Sequence, residues 1–270
     1  MRRSLGIAMA ALALGATLLY AHDLFIKLDT YFLQPNGAVT IRILNGTFAQ
    51  SENWITRNRI GDISLLSAAG RLHLDTTRWS PTPDSLTSLL RLEVGEAGTY
   101  VVGVSTAPSE IALSGEEFNE YLRLDGIPDV LAARTKIGEL GDSARERYSK
   151  HVKAVVQVGD RRTAGFDVPL GYPAEIVPIT NPYVLRVGGE LRVRCLVDGK
   201  PVVNQLVIAG GEGAGGAFEE RSARSDASGV ATFRIDQPGK WYVKFINMVN
   251  VTYDDLDYES KWATLTFGVR

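Results

Sequence analysis

Short runs of alternating apolar and polar residues, each closed by a dense turn signal, constrain this chain more than any other feature. Val39, Ile41 and Ile43 alternate with Thr40 and Arg42, the two-residue period of a half-buried strand. Gln34-Pro35-Asn36-Gly37 separates that run from an expected strand at 24–29; proline presets φ there, and Asn and Gly tolerate left-handed backbone. Further strands are expected at 62–67, 89–94 and 99–105, the last two joined by Gly95-Glu96-Ala97-Gly98. Many short strands at regular turn spacing point to a β-sandwich.

The pattern changes at Ser114-Gly115-Glu116-Glu117, which has the form of a capping box, with Phe118, Tyr121 and Leu122 following at helical spacing. Pro128 is placed to open a second helix, and Asp142-Ser143-Ala144-Arg145-Glu146 reads as the start of a third. Strand character resumes at Val152: Val152, Ala154, Val156 and Val158 share one face, and His151, Lys153 and Gln157 the other. Pro169, Pro173, Pro178 and Pro182 then stiffen a crossing. A second all-β unit follows, with strands expected at 190–197, 203–209, 231–235, 240–248 and 262–269 and turns at Asp198-Gly199 and 226–229. The expected fold is mainly β: two β-sandwich domains (Ig-like or transthyretin-like) at 22–170 and 175–270, the first carrying a short helical insertion at 114–149.

Arg2 and Arg3 precede an apolar run from Leu5 to Ala21. The run is short for a membrane span and fits a secretory signal peptide at 1–21, with cleavage after the small residue Ala21. The chain is then expected in the periplasm or secreted, touching membrane only through the signal peptide or an uncleaved anchor. The net charge of −2 offers no basic field for nucleic acid, so no nucleic-acid partner is expected. Cys195 is the single cysteine; an intramolecular disulfide is impossible, and its alternation with arginines reads as a buried small hydrophobe.

Cleavage after Ala21 makes His22 the first residue, and an α-amine beside an imidazole is a two-nitrogen chelate suited to nickel, cobalt, copper or zinc. Asp23 is adjacent, His151 is a second imidazole, and Glu259 precedes the last strand; these four are the candidate metal ligands. His73 lies in a polar stretch and reads as exposed. Trp241 and Trp262 fit strand patterns and read as core. No Gly-x-Ser-x-Gly, His-Glu-x-x-His or Cys-x-x-Cys occurs. Residues 210–216 are glycine-rich, but no Lys-Ser/Thr pair closes them. An enzyme and an organic cofactor are therefore not expected.

Segments along nearly the whole mature chain carry a resemblance: Ala21-His-Asp-Leu-Phe-Ile26, Leu44-Asn-Gly-Thr-Phe48, Thr99-Tyr-Val-Val-Gly-Val-Ser-Thr106, Glu117-Phe-Asn-Glu-Tyr-Leu122, Arg147-Tyr-Ser-Lys-His-Val-Lys153, Pro169-Leu-Gly-Tyr-Pro173 and Tyr258-Glu-Ser-Lys-Trp-Ala-Thr-Leu-Thr-Phe267. Together they resemble a bacterial exported family catalogued as a domain of unknown function and associated with NikM-like nickel/cobalt uptake components. Val197-Asp-Gly-Lys-Pro-Val202, 225–233 and Pro238-Gly-Lys-Trp-Tyr-Val243 resemble a transthyretin-like or carboxypeptidase-regulatory-like β-sandwich. The resemblance implies a binding protein whose partner is a metal uptake transporter component. Asn247 stands where members of the family often carry His. The alternative expectation is a non-catalytic structural or interaction module of the envelope with no metal.

Overall fold

The computed structural model describes residues 22–270; the expected signal peptide at 1–21 lies outside the described residues. Among these residues the chain is mainly β, arranged in three sheets with two short helices. A four-stranded antiparallel sheet runs in the order Asp23–Lys27, Ala38–Gly46, Ser88–Glu93, Trp79–Pro81. A second, eleven-stranded sheet has Ala144–Val158 near its middle. A third groups Ala174–Pro178, Glu190–Val197, Lys200–Pro201 and Val230–Arg234.

Ala144–Val158 organises the molecule. It pairs antiparallel with Ser109–Leu113 and Gly98–Thr106, and parallel with Tyr258–Val269 from Glu146↔Tyr258 to Ala154↔Thr266. That parallel pairing joins the units expected at 22–170 and 175–270 into one sheet. One hydrophobic cluster likewise holds Ile41, Val104, Val193 and Phe267 together. Trp79, Trp241 and Trp262 are buried in the core, as is Cys195, where burial pushes the thiol up to about 12.

The capping box forms: Ser114 Oγ accepts from Glu117 N at 3.3 Å, and the Glu117 carboxylate accepts from Ser114 N at 2.9 Å. Helix α1 spans Gly115–Leu124 and helix α2 spans Pro128–Ile137, with Pro128 in its first turn and Gly138 at φ 82° closing it. Phe118, Tyr121 and Leu122 pack with Ile246, Met248, Tyr258 and Trp262. The third helix expected from Asp142 does not form. Residues 144–149 are instead the first part of the long strand, in register Ala144↔Leu113 through Tyr148↔Ser109. The strand period was hidden because two of its inward residues, Glu146 and Lys150, are charged yet buried.

The proline-rich crossing is tied to the same strand. The Glu175 carboxylate accepts from the backbone of Leu170 (2.8 Å), Gly171 (2.6 Å) and Tyr172 (2.9 Å) and from Lys153 Nζ (2.8 Å). Gly103 makes room for this loop: a Cβ there would lie 2.7 Å from Tyr172 Oη.

Candidate functional site: two clefts meeting at His22

His22 is placed by the strand that follows it. Every residue of Asp23–Lys27 is buried, and the register Asp23↔Gly46 and Leu24↔Asn45 seats the strand on Ala38–Gly46. Lys150 Nζ donates to the His22 carbonyl and, at 2.9 Å, to Asn45 Oδ1. The imidazole Nε2 lies 2.8 Å from Glu52 Oε2. Burial lowers the His22 pKa, opposed by the Glu52 charge and reinforced by Lys150, so the ring is neutral near pH 7. A carboxylate against Nε2 selects the tautomer with the proton there and leaves the Nδ1 lone pair free.

Two clefts share His22 as a wall. The first, about 210 Å³, is lined by Lys150, Arg59, Asn45, Trp54 and Tyr148 among others, and none of the described acidic residues lines it. The second, about 260 Å³, is lined by Asp23, Asp125, Glu220, Lys244, Phe48 and Tyr242 among others. Asp23 Oδ2 accepts from Lys244 Nζ, while its Oδ1 is buried with no partner among the described residues. Burial and then the Asp23 charge raise the Asp125 carboxyl. Tyr242 donates to Glu220 at 2.5 Å, and burial followed by that carboxylate raises the phenol well above its ordinary range.

Glu146 lies where several of the singled-out segments meet. It is fully buried; its Oε1 accepts from Tyr121 Oη at 3.1 Å and from Ser260 Oγ, and its Oε2 has no partner among the described residues. Burial pushes its pKa up to about 7, against the pull of those hydrogen bonds and of Lys150.

The four sequence-derived ligand candidates do not converge. His22 and Asp23 line one cleft. His151 is buried with both ring nitrogens engaged, Nδ1 2.9 Å from Ser105 Oγ and Nε2 3.0 Å from Ser149 Oγ. Burial lowers its pKa to about 4, so it sits neutral within the core. Glu259 accepts from Tyr253 Oη and lies 3.4 Å from Lys261. His73, read as exposed, is exposed and lies 2.6 Å from Asp62. No group of three or more His, Cys, Asp or Glu side chains among the described residues is arranged to hold a metal.

Sequence reasoning passed over Glu52, Arg59, Asp125, Glu146, Lys150 and Lys244. Lys150 and Glu146 carried one readable signal: they fall in phase with Val152 and Ala154 on a strand that is otherwise apolar on that face.

Residues 19–248 match the family model described as a domain of unknown function, DUF4198. The chain belongs to that family. No curated protein matches it. Among solved structures it is similar to the D0-D1 domain of intimin, at 14% identity over 92% of this chain and 98% of that one, with a TM-score of 0.21. It is also similar to Escherichia coli alpha-2-macroglobulin activated by porcine elastase, at 7% identity, covering 92% of this chain and 20% of that one, with a TM-score of 0.25. Salmonella alpha-2-macroglobulin reacted with methylamine gives 9% identity, 91% and 15% coverage and a TM-score of 0.26. The chain thus spans about a fifth or less of the macroglobulins' length. Superpositions this loose carry no argument about function, and the sandwich architecture of this DUF4198 member rests on its own sheets. None of its described helices is long and apolar enough to cross a membrane.

Proposed function

We propose that this DUF4198 protein is an exported, non-catalytic binding protein that takes a divalent transition metal (nickel, cobalt, copper or zinc) at the N-terminal His22 of the mature chain and serves a metal uptake transporter. The observation that supports this reading is the 2.8 Å contact between His22 Nε2 and Glu52. A carboxylate on the outer ring nitrogen is the usual support for a metal-binding histidine, and here it would leave Nδ1 to close a six-membered chelate with the α-amine. Cleavage after Ala21 would create that amine at the edge of both clefts. Asp23 Oδ1, buried without a partner, is the nearest further oxygen by sequence, and water would complete the coordination.

The test is calorimetry with Ni²⁺ and Cu²⁺ on protein beginning at His22 and on the same protein with one residue added before it. The extension replaces the amine with an amide and should weaken binding at least 100-fold. Glu52→Gln should weaken it about 10-fold, the usual effect of losing a supporting carboxylate. Affinity should rise with pH up to about 8, where an α-amine ordinarily loses its proton. Equal affinity in the extended protein would sink the His22 role. Absence of stoichiometric metal would leave the envelope interaction module as the reading.

A further inference from the structure

The cleft on the Lys150 side of His22 has a composition that the metal reading does not use. Lys150 is 4% exposed. Among the described residues its ammonium makes hydrogen bonds only to the His22 carbonyl and Asn45 Oδ1. Arg59 lines the same cavity; its Nη2 donates to Ala107 O at 3.1 Å, and its Nε is buried with no partner among the described residues. Both cations neighbour the Tyr148 ring, its centroid 5.6 Å from the Arg59 guanidinium and 5.5 Å from Lys150 Nζ. The two cations repel: after burial itself, the Arg59 charge is one of the causes that depress the Lys150 pKa to about 8. Asp23, Asp125 and Glu146 lie within electrostatic reach of Lys150, yet none of them lines the cavity.

The remaining walls divide by chemistry. Asn45, Asn53, Thr56 and Thr106 supply hydrogen-bonding groups, while Trp54, Ile55, Ile111 and the Tyr148 ring supply apolar surface. A pocket with paired cations at one part and aromatic and aliphatic walls elsewhere suits a charged head on a compact apolar body. Inorganic anions would satisfy the cations and leave the apolar walls wet. The volume, about 210 Å³, exceeds the roughly 150 Å³ cavity that accepts benzene, so a ring bearing one or two polar substituents fits.

We propose that this cleft is a binding site for a small organic carboxylate, its carboxylate held between Arg59 and Lys150 and its apolar body packed against Trp54 and Tyr148. Arg59 brings its guanidinium to the cavity wall, and guanidinium groups pair with carboxylates in well-defined geometry. The site stands independently of any metal at His22, because neither cation is a metal ligand.

The probe is benzoate, titrated by calorimetry and by Trp fluorescence into metal-stripped protein that begins at His22. Benzoate should bind saturably, and neutral benzamide should bind at least 10-fold more weakly. Arg59→Gln and Lys150→Met should each lower benzoate affinity about 10-fold or more, in the range for losing a charge-assisted hydrogen bond. Glu220→Gln, in the opposite cleft, should leave it unchanged. Arg59 is partly exposed, so its variant keeps the test decisive should Lys150→Met fold poorly. No binding of benzoate, equal binding of benzamide, or full affinity in Arg59→Gln would each overturn the proposal. So would sulfate or phosphate displacing benzoate at equal concentration, which would make the cleft a site for inorganic anions.

Discussion

Two lysines three positions apart on the strand Ala144–Val158 solve the same problem in opposite ways. Lys150 and Lys153 are both buried, at 4% and 2% exposure, and burial lowers both pKa values. Their spacing puts them on opposite faces of the sheet. Lys153 meets Glu175 at 2.8 Å, and that carboxylate is also saturated by three backbone amides of the proline-rich crossing. Among the described residues Lys150 has no carboxylate at contact distance, only a carbonyl and an amide oxygen, and it lines a cleft. A buried charge with every partner supplied by its own chain is a fastening. A buried cation whose neighbours leave a cavity open beside it is placed for something that arrives from outside.

The largest effect should come from breaking the fastening. Glu175→Leu leaves Lys153 uncompensated in the core and three amides of 170–172 without an acceptor, and should cost about 3–5 kcal/mol, the range for removing one partner of a buried pair. The double variant Lys153→Met with Glu175→Leu should recover part of that loss. Chemical denaturation of the three proteins measures it. A cost below about 1 kcal/mol for the single change would erase the distinction between the two lysines. Lys150→Met should cost less, below about 2 kcal/mol, because it removes a desolvated charge while stranding two acceptors.

Next in size are two pH slopes of opposite sign near Lys150. Glu146 has its folded-state pKa raised from 4.5 to about 7. The folded protein therefore holds the proton longer than the unfolded chain, and stability falls as pH rises from 4.5 to 7. Lys150 is lowered from 10.5 to about 8; the unfolded chain holds that proton longer, so stability rises as pH climbs from 8 to 10.5. Each slope is worth at most about 3.5 kcal/mol, at roughly 1.4 kcal/mol per pKa unit. Glu146→Gln should flatten the first and Lys150→Met the second. Denaturation midpoints at pH 5, 7, 8 and 10 separate them; Asp125, also raised by burial, keeps its own falling slope, so a Glu146→Gln profile as steep as the parent's from pH 5 to 7 would place the titration elsewhere.

The local grammar of this chain was readable, whereas its pairing across long distances was not. Ser114, Glu117 and Pro128 announced both helices because capping and first-turn proline act within one helical turn. The alternation at 152–158 was correctly seen as a strand, but its polar face, His151, Lys153 and Gln157, is buried rather than solvated. What covers it includes the crossing at Glu175, 22 residues from Lys153. No local period announces that contact. The parallel pairing to Tyr258–Val269 is similarly invisible, since partners such as Glu146 and Tyr258 lie more than a hundred residues apart in the chain. At the site, His22 and Asp23 were legible because the expected cleavage point lies beside them in sequence. Arg59, Lys150 and Glu52 were not, because only the sheet packing brings them to His22.

The smallest effect concerns His22, which stands between the basic cleft and the acidic one. Its pKa is depressed chiefly by burial, and the Glu52 carboxylate opposes that depression more than any other charge does. Glu52→Gln removes the opposing charge while keeping a polar group near Nε2, so the pKa should fall further below 6.5. A histidine neutral in the fold and protonated in the unfolded chain loses stability as pH falls through the unfolded value, and the variant should lose slightly more. With Glu52 47% exposed at its side chain, solvent screens the pair and the change in stability should be small. NMR titration of the His22 ring reads the shift directly. A pKa that does not fall in Glu52→Gln would mean that the Glu52 charge does not set His22, and would leave burial and Lys150 to account for its depression.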